Sequence, residues 1–254
     1  MTCDGVFTGR WVRWFAESVS TTEPELTDLD RRVGDGDFGT NLLVGLTTTI
    51  RVLDGSPGAP GPSETPPAAG PLEMMAGVFL DEVGGTSGPL FGLVFQELAA
   101  AARAAGPVLT GAAVEQGIDA GLAAVRRVGE AEPGDKTMVD ALLPAVTAVR
   151  RAGPLPADRA LALAAGGARR GVSETARLRA RRGRAGYLGD RVTGVPDPGA
   201  VGVALLFASA AGPVTALSPW WERGVTRAHL PGTRLDGPES GTDTGTGAGV
   251  PAGR

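Results

Sequence analysis

Residues 33–50, VGDGDFGTNLLVGLTTTI, carry two signals side by side. Leu42, Leu43, Leu46 and Ile50 fall at i, i+1, i+4 and i+8, which is one face of an α-helix. Just ahead of that helix, Asp30, Asp35 and Asp37 put three carboxylates within eight residues, separated by glycines that let the backbone turn. The unit reads as a helix entered through an acidic, glycine-rich junction.

Working outward, the same grammar repeats. Phe7, Trp11, Trp14 and Phe15 recur at helical spacing and predict a first amphipathic helix that ends in the polar stretch 18–23 before Pro24, with a short helical turn over 25–32. A third helix is expected over 72–83. A fourth, rich in Ala, runs from Leu90 through Val94, Phe95 and Leu98 to 105. Val114, Ile118, Leu122 and Val125 mark a fifth that ends at Gly129. Met138, Leu142, Val146 and Val149 mark a sixth, bent at Pro144. A seventh is expected over 157–180 and an apolar eighth over 199–211. No stretch sustains period-two alternation, so the expected fold class is all-α, with about eight helices and connections short enough for antiparallel neighbours in a bundle.

Composition narrows the function. The chain of 254 residues holds 40 Gly and 20 Pro, and these cluster in 54–71 and 236–254. Such segments bury too little apolar surface to offset their ordering entropy, so 54–71 reads as a flexible insertion. The expected organisation is a helical domain over 1–211 and a largely disordered tail over 212–254. The single cysteine, Cys3, excludes a disulfide framework and points to a reducing compartment. The opening MTCDGVFTGR does not read as a secretory signal, no apolar run approaches a membrane span, and a net charge of −4 offers nucleic acid no general attraction. A cytoplasmic protein is expected. With His229 the only histidine and Lys136 the only lysine, Ser-His, Cys-His and His-metal chemistry is disfavoured. Carboxylates, hydroxyls, backbone amides and arginines remain, a set suited to magnesium and phosphate.

Four small-residue junctions sit at helix ends: Gly34-Asp35-Gly36-Asp37, Gly84-Gly85-Thr86-Ser87-Gly88, Gly134-Asp135-Lys136-Thr137 and Asp197-Pro198-Gly199. All four could converge on one end of a bundle. The acidic junction suits Mg²⁺ or Ca²⁺, and without a Glu at the twelfth position it is not an EF-hand. Its alternative is a polar turn capping the next helix through Asp37 or Thr40. GGTSGPLFG has the logic of an anion nest, in which glycines allow close approach and the amides of the following helix face the ligand. A tight turn with a Ser N-cap is the alternative there. Within the arginine run 177–191, one member, Arg184, is a candidate phosphate clamp among surface charges.

Taken in order, VGDGDFGTN, GGTSGPLFG, EPGDKTMVDALLPA and GRAGYLGDRVTGVPDPGA resemble the L subunit of dihydroxyacetone kinase, across about 25–207. The resemblance implies an eight-helix antiparallel barrel that holds ADP or ATP at one end. It implies that Asp30, Asp35 and Asp37 hold two Mg²⁺ ions. Phe38, Gly39, Thr40, Asn41, Thr86 and Ser87 would line the phosphates, Gly129 and Met138 would lie near the base, and Arg184, Asp197, Pro198 and Gly199 would complete the pocket. In that family the ketose is carried by a separate K-type subunit or domain, and some members recharge bound ADP from a phosphoprotein of the sugar phosphotransferase system. The resemblance also admits a nucleotide-binding regulator or adaptor. Three positions depart from the family pattern: Phe38 stands for a common His, Gly186 for Ser and Asp190 for Glu.

Overall fold

The computed structural model describes residues 2–55, 66–187 and 189–220. The middle of the expected insertion, 56–65, and the chain from 221 onward, His229 included, lie outside the described residues. Among the described residues there are eight α-helices: α1 (Gly5–Arg31), α2 (Phe38–Gly55), α3 (Ala69–Asp81), α4 (Ser87–Ala105), α5 (Gly111–Gly129), α6 (Val139–Ala152), α7 (Ala157–Thr175) and α8 (Pro198–Ala208). There is no strand among the described residues, and no helix there is long and apolar enough to cross a membrane.

Each helix packs on the next, and α8 returns to α1, so the eight close into an antiparallel barrel. At the closing seam Trp11 Nε1 donates to the Leu206 carbonyl at 2.8 Å, and the Ser18 and Ser209 hydroxyls meet at 2.8 Å. Phe15, Phe79, Phe91 and Phe95 fill the interior, with Phe79 and Phe95 edge to face at 4.9 Å. Where α6 and α7 touch, a Cβ at Gly167 or Gly171 would come within 2.3 Å of the Pro144 carbonyl or 2.1 Å of the Asp140 carbonyl. Only glycine permits that spacing.

The structure revises several boundaries. The expected break at 18–24 is absent, and α1 continues through Pro24 to Arg31. Its buried face runs on through Phe15, Ser18, Val19, Thr22, Leu26 and Leu29, so packing keeps the period across the proline. Pro24 lies on the exposed side, where water can take the carbonyl that loses its amide partner. α3 starts at Ala69, inside the stretch expected to be flexible. α7 stops at Thr175 rather than 180 because its terminal carbonyls are captured: Lys136 Nζ donates to Thr175, and the Gly194 amide donates to Ala176 at 2.7 Å. α8 ends at Ala208 rather than 211.

The expected boundary at 211 falls just before a packed segment. The Val214 amide donates to Ser18 Oγ at 2.8 Å, Leu217 is fully buried with its amide on Glu25 at 3.1 Å, and Ser173 Oγ donates to the Trp220 carbonyl at 3.0 Å. Residues 212–220 therefore run back along α1 and α7.

Because consecutive helices alternate direction, the α1–α2, α3–α4, α5–α6 and α7–α8 connections share one end of the barrel. The opposite end is tied by the Gly5 amide on Pro66 at 2.8 Å and the Leu109 amide on Cys3 at 2.7 Å.

Candidate functional site: an acidic cleft at one end of the barrel

The four junctions do converge, and they line one cleft. Its acidic side is the α1–α2 junction. Asp30, in the last turn of α1, is 8% exposed, and its Oδ2 accepts the Gly36 amide at 2.9 Å and the Phe38 amide at 3.2 Å. Those bonds fold the loop back over the end of α1. Gly36 turns there with φ of 80°, and a Cβ at Gly34 would lie 2.3 Å from Asp30 Oδ1, so neither glycine has a substitute. Asp35 and Asp37 stand exposed at the rim. One carboxylate oxygen from each of the three lies within 4.8 Å of the others. Three such charges repel unless a cation sits among them, and hard oxygen donors at this density suit Mg²⁺. The residues present fit that ion.

Across the cleft, α4 begins at Ser87, and Thr86 makes no side-chain cap bond. Ser87 is thus the first residue of α4 and not its N-cap, and the dipole of α4 opens onto the cleft beside two hydroxyls. Leu90, Phe91, Val125, Ala131 and Met138 form an apolar wall. One end of the cleft thus suits charged oxygens and the other a flat apolar group.

The remaining wall is built by the α5–α6 and α7–α8 junctions. Asp140, in the first turn of α6, accepts the Gly134 amide at 2.6 Å and the Thr137 amide at 2.9 Å, which fixes the loop carrying Lys136. Asp197 caps α8 by accepting the Ala200 amide at 2.7 Å. Burial pushes the Asp197 carboxyl up to about 7, against the pull of the Ala200 amide and the Lys136 ammonium. Burial likewise lowers Lys136 below its ordinary value, opposed by Asp197 and Asp140.

Of the residues singled out from sequence, Asp30, Asp35, Asp37, Phe38, Asn41, Thr86, Ser87, Gly129, Met138, Asp197, Pro198 and Gly199 line the cleft. Gly39 and Thr40 do not. Gly39 packs on α1, where a Cβ would meet Thr27 Oγ1 at 2.6 Å, and the Thr40 hydroxyl donates to Glu23 at 3.1 Å. Phe38 is 5% exposed, its ring 6.0 Å from that of Phe91, and both rings occupy space that a side chain at Gly202 would fill. The Arg184 backbone opens a one-turn helix, Arg184–Tyr187, and its side chain lies outside the described residues. Two cations were missed: Lys136 and Arg182 both line the cleft. Arg182 belongs to the arginine run already noticed, and its Nε lies 3.5 Å from Asp135.

Fold and cleft together define a class: an all-α antiparallel barrel with a cation-suited, amphipathic cleft at one end. The DAK2 domain family model matches residues 32–212. The chain is 33% identical over 208 residues to the ADP-binding subunit DhaL of a PEP-dependent dihydroxyacetone kinase of Listeria innocua, covering 82% of this chain and 96% of that one. It is 36% identical over 196 residues to the corresponding DhaL of Escherichia coli, covering 76% and 89%. L-erythrulose 1-kinase of Mycolicibacterium smegmatis is 36% identical over 198 residues, which is 76% of this chain and 33% of that enzyme. The crystal structure of the dihydroxyacetone kinase of C. freundii superposes with a TM-score of 0.60 at 24% identity, over 83% of this chain and 35% of that one. The chain thus spans most of the DhaL subunits and about a third of the longer kinases. It belongs to the DAK2 domain family, among the DhaL-type members.

Proposed function

We propose that this chain is the nucleotide-binding phosphotransferase subunit of a kinase for dihydroxyacetone or a related short ketose, working in the cytoplasm with a K-type partner that presents the ketose. The observation that carries the reading is the trio Asp30, Asp35 and Asp37, with carboxylate oxygens mutually within 4.8 Å, in one cleft with the side-chain-uncapped start of α4. The names of the DhaL relatives support ADP as a ligand, and that of the erythrulose kinase supports a short ketose as acceptor.

In this reading Asp30, Asp35 and Asp37 hold two Mg²⁺ ions, which supply neutralisation of the phosphate charge. Asn41, Thr86, Ser87 and the first amides of α4 orient the phosphates, and Leu90, Val125, Gly129, Ala131 and Met138 receive the base. Arg184 and Arg182 are the candidate cations for the phosphate tail, and Asp197, Pro198 and Gly199 close the wall. Phosphoryl transfer asks mainly for positioning and charge neutralisation, which this donor set provides without a histidine nucleophile. The ketose itself needs a site that the partner brings. ATP used directly and ADP recharged by a phosphoprotein of the phosphotransferase system are two supplies for the same cleft.

The test combines purified protein, a K-type partner, Mg²⁺ and dihydroxyacetone, with ATP in one arm and a phosphoenolpyruvate-driven phosphoprotein in the other. Ketose phosphate is expected in one arm, and Asp35→Asn abolishes it while preserving the helical circular dichroism. Turnover that survives Asp35→Asn overturns the metal role. Tight ADP·Mg²⁺ binding with no transfer in either arm favours a nucleotide-dependent regulator instead.

A further inference from the structure

Lys136 is the only lysine in the chain, and it is 1% exposed. Its backbone is left-handed, with φ of 64°, a conformation uncommon outside glycine that the Asp140 bonds to Gly134 and Thr137 hold in place. From there Nζ donates to the Thr175 carbonyl and, at 2.5 Å, to the Val195 carbonyl. Thr175 is the last residue of α7, and Val195 stands two residues before the Asp197 cap of α8. One ammonium therefore joins the point where the chain leaves α7 to the point where it returns. Two shorter ties lie beside it: the Gly194 amide on Ala176 at 2.7 Å and the Asp197 amide on Thr175 Oγ1 at 3.0 Å.

We infer that Lys136 is a positioning residue for the cleft, its ammonium clamping the end of α7 to the segment that leads into α8 and so setting Asp197, Pro198 and Gly199 in the wall. The inference rests on the nucleotide reading of that cleft. Two bonds of the ammonium go to backbone carbonyls, one of them the last carbonyl of α7, which otherwise accepts only the Leu178 amide of the following turn at 3.2 Å. A compact ammonium reaches both from a narrow site, whereas a planar guanidinium would not. A neutral apolar side chain would leave the Val195 carbonyl without its donor and the Thr175 carbonyl with the Leu178 amide alone, at 3.2 Å, and so release the wall.

Acetylation of the wild-type protein with an amine-reactive ester, followed by peptide mass spectrometry, reads the clamp directly because there is one lysine. Lys136 should react at least about 100-fold more slowly than the lysine of an unstructured reference peptide, and saturating ADP with Mg²⁺ should slow it about fivefold further. A buried lysine that served only the fold would be slow but indifferent to nucleotide. In parallel, Lys136→Met, checked for helix content, should bind ADP·Mg²⁺ at least about tenfold more weakly than wild type. Labelling at the reference rate, protection unaffected by nucleotide, or a folded variant within twofold of wild-type affinity overturns the inference. If Lys136→Met fails to fold, the labelling arm decides. If the wild-type protein itself binds no ADP, the nucleotide reading falls and the positioning role with it; wild-type binding with an unaffected variant removes the positioning role alone.

Discussion

Asp30 and Asp35 differ in how they are held, and that difference predicts unequal effects on stability from the same substitution. Asp30→Ala removes an oxygen that accepts two amides, those of Gly36 at 2.9 Å and Phe38 at 3.2 Å, from a residue 8% exposed. Hydrogen bonds to a charged group contribute about 1.5–3 kcal/mol each, so the ceiling is roughly 3–6 kcal/mol. Two offsets reduce it. Water at the cleft reaches the Gly36 amide more readily than the buried Phe38 amide, and losing Asp30 relieves about 1 kcal/mol of repulsion for each of its two pairs within 4.8 Å. A net loss of about 1–4 kcal/mol remains, equivalent to a fall in Tm of roughly 2–16 °C for a body of this size. Asp35→Ala, at the exposed rim, should stay within about 1 kcal/mol of wild type. Thermal and urea unfolding in EDTA measure both variants, and the same melts with ADP and Mg²⁺ measure the ligand shift, which each substitution should remove. Equal stability of the two variants in EDTA would refute the claim that Asp30 folds the loop, and a full ligand shift in either would refute its role as a metal ligand.

Other substitutions test other parts of the account. Gly171→Ala puts a Cβ 2.1 Å from the Asp140 carbonyl, which cannot move without separating α6 from α7; a loss of about 2–3 kcal/mol and weaker ADP binding should follow, and an unchanged melt would contradict that packing. Asp197 has a folded value of about 7 against an ordinary 3.8, so its favourable contribution is complete below about pH 4 and disappears as pH rises through about 7. Asp197→Asn keeps an oxygen for the Ala200 amide and should gain on wild type with rising pH, by at most about 4 kcal/mol, less what Lys136 loses as its partner; a pH-independent difference in urea unfolding would count against it. Trp11→Phe leaves the Leu206 carbonyl without its 2.8 Å donor at the barrel seam and should cost about 1–3 kcal/mol by urea unfolding, with no loss meaning that the seam bond is dispensable.

Much of this was readable from residue spacing. The helix stripes through Leu42, Val94, Ile118 and Val146 mark faces that are buried, and the three aspartates form the cluster that their glycine-separated spacing suggested. What spacing could not supply was direction in three dimensions. Pro24 looks like a stop because its ring and missing amide disfavour a helix, yet the apolar period on either side of it kept α1 intact. Gly39 and Thr40 sit in the motif but on the turn that faces α1, so their neighbours are Thr27 and Glu23. The Gly-Asp-Lys-Thr junction gives no sign of what Lys136 binds, because its acceptors lie 39 and 59 residues further along the chain. Its one local signal is Asp140, positioned to bind the loop's own amides.

The central claim is that an acidic trio at the barrel end is held together by divalent cations and a nucleotide's phosphates. Titration calorimetry of ADP into the full chain, with Mg²⁺ and then with EDTA, tests it most directly, with Asp35→Asn as the paired control. The account predicts saturable binding that weakens at least about tenfold when Mg²⁺ is removed and equally in the folded variant. Binding that is absent with Mg²⁺, or present at the same strength in EDTA and in Asp35→Asn, would contradict it.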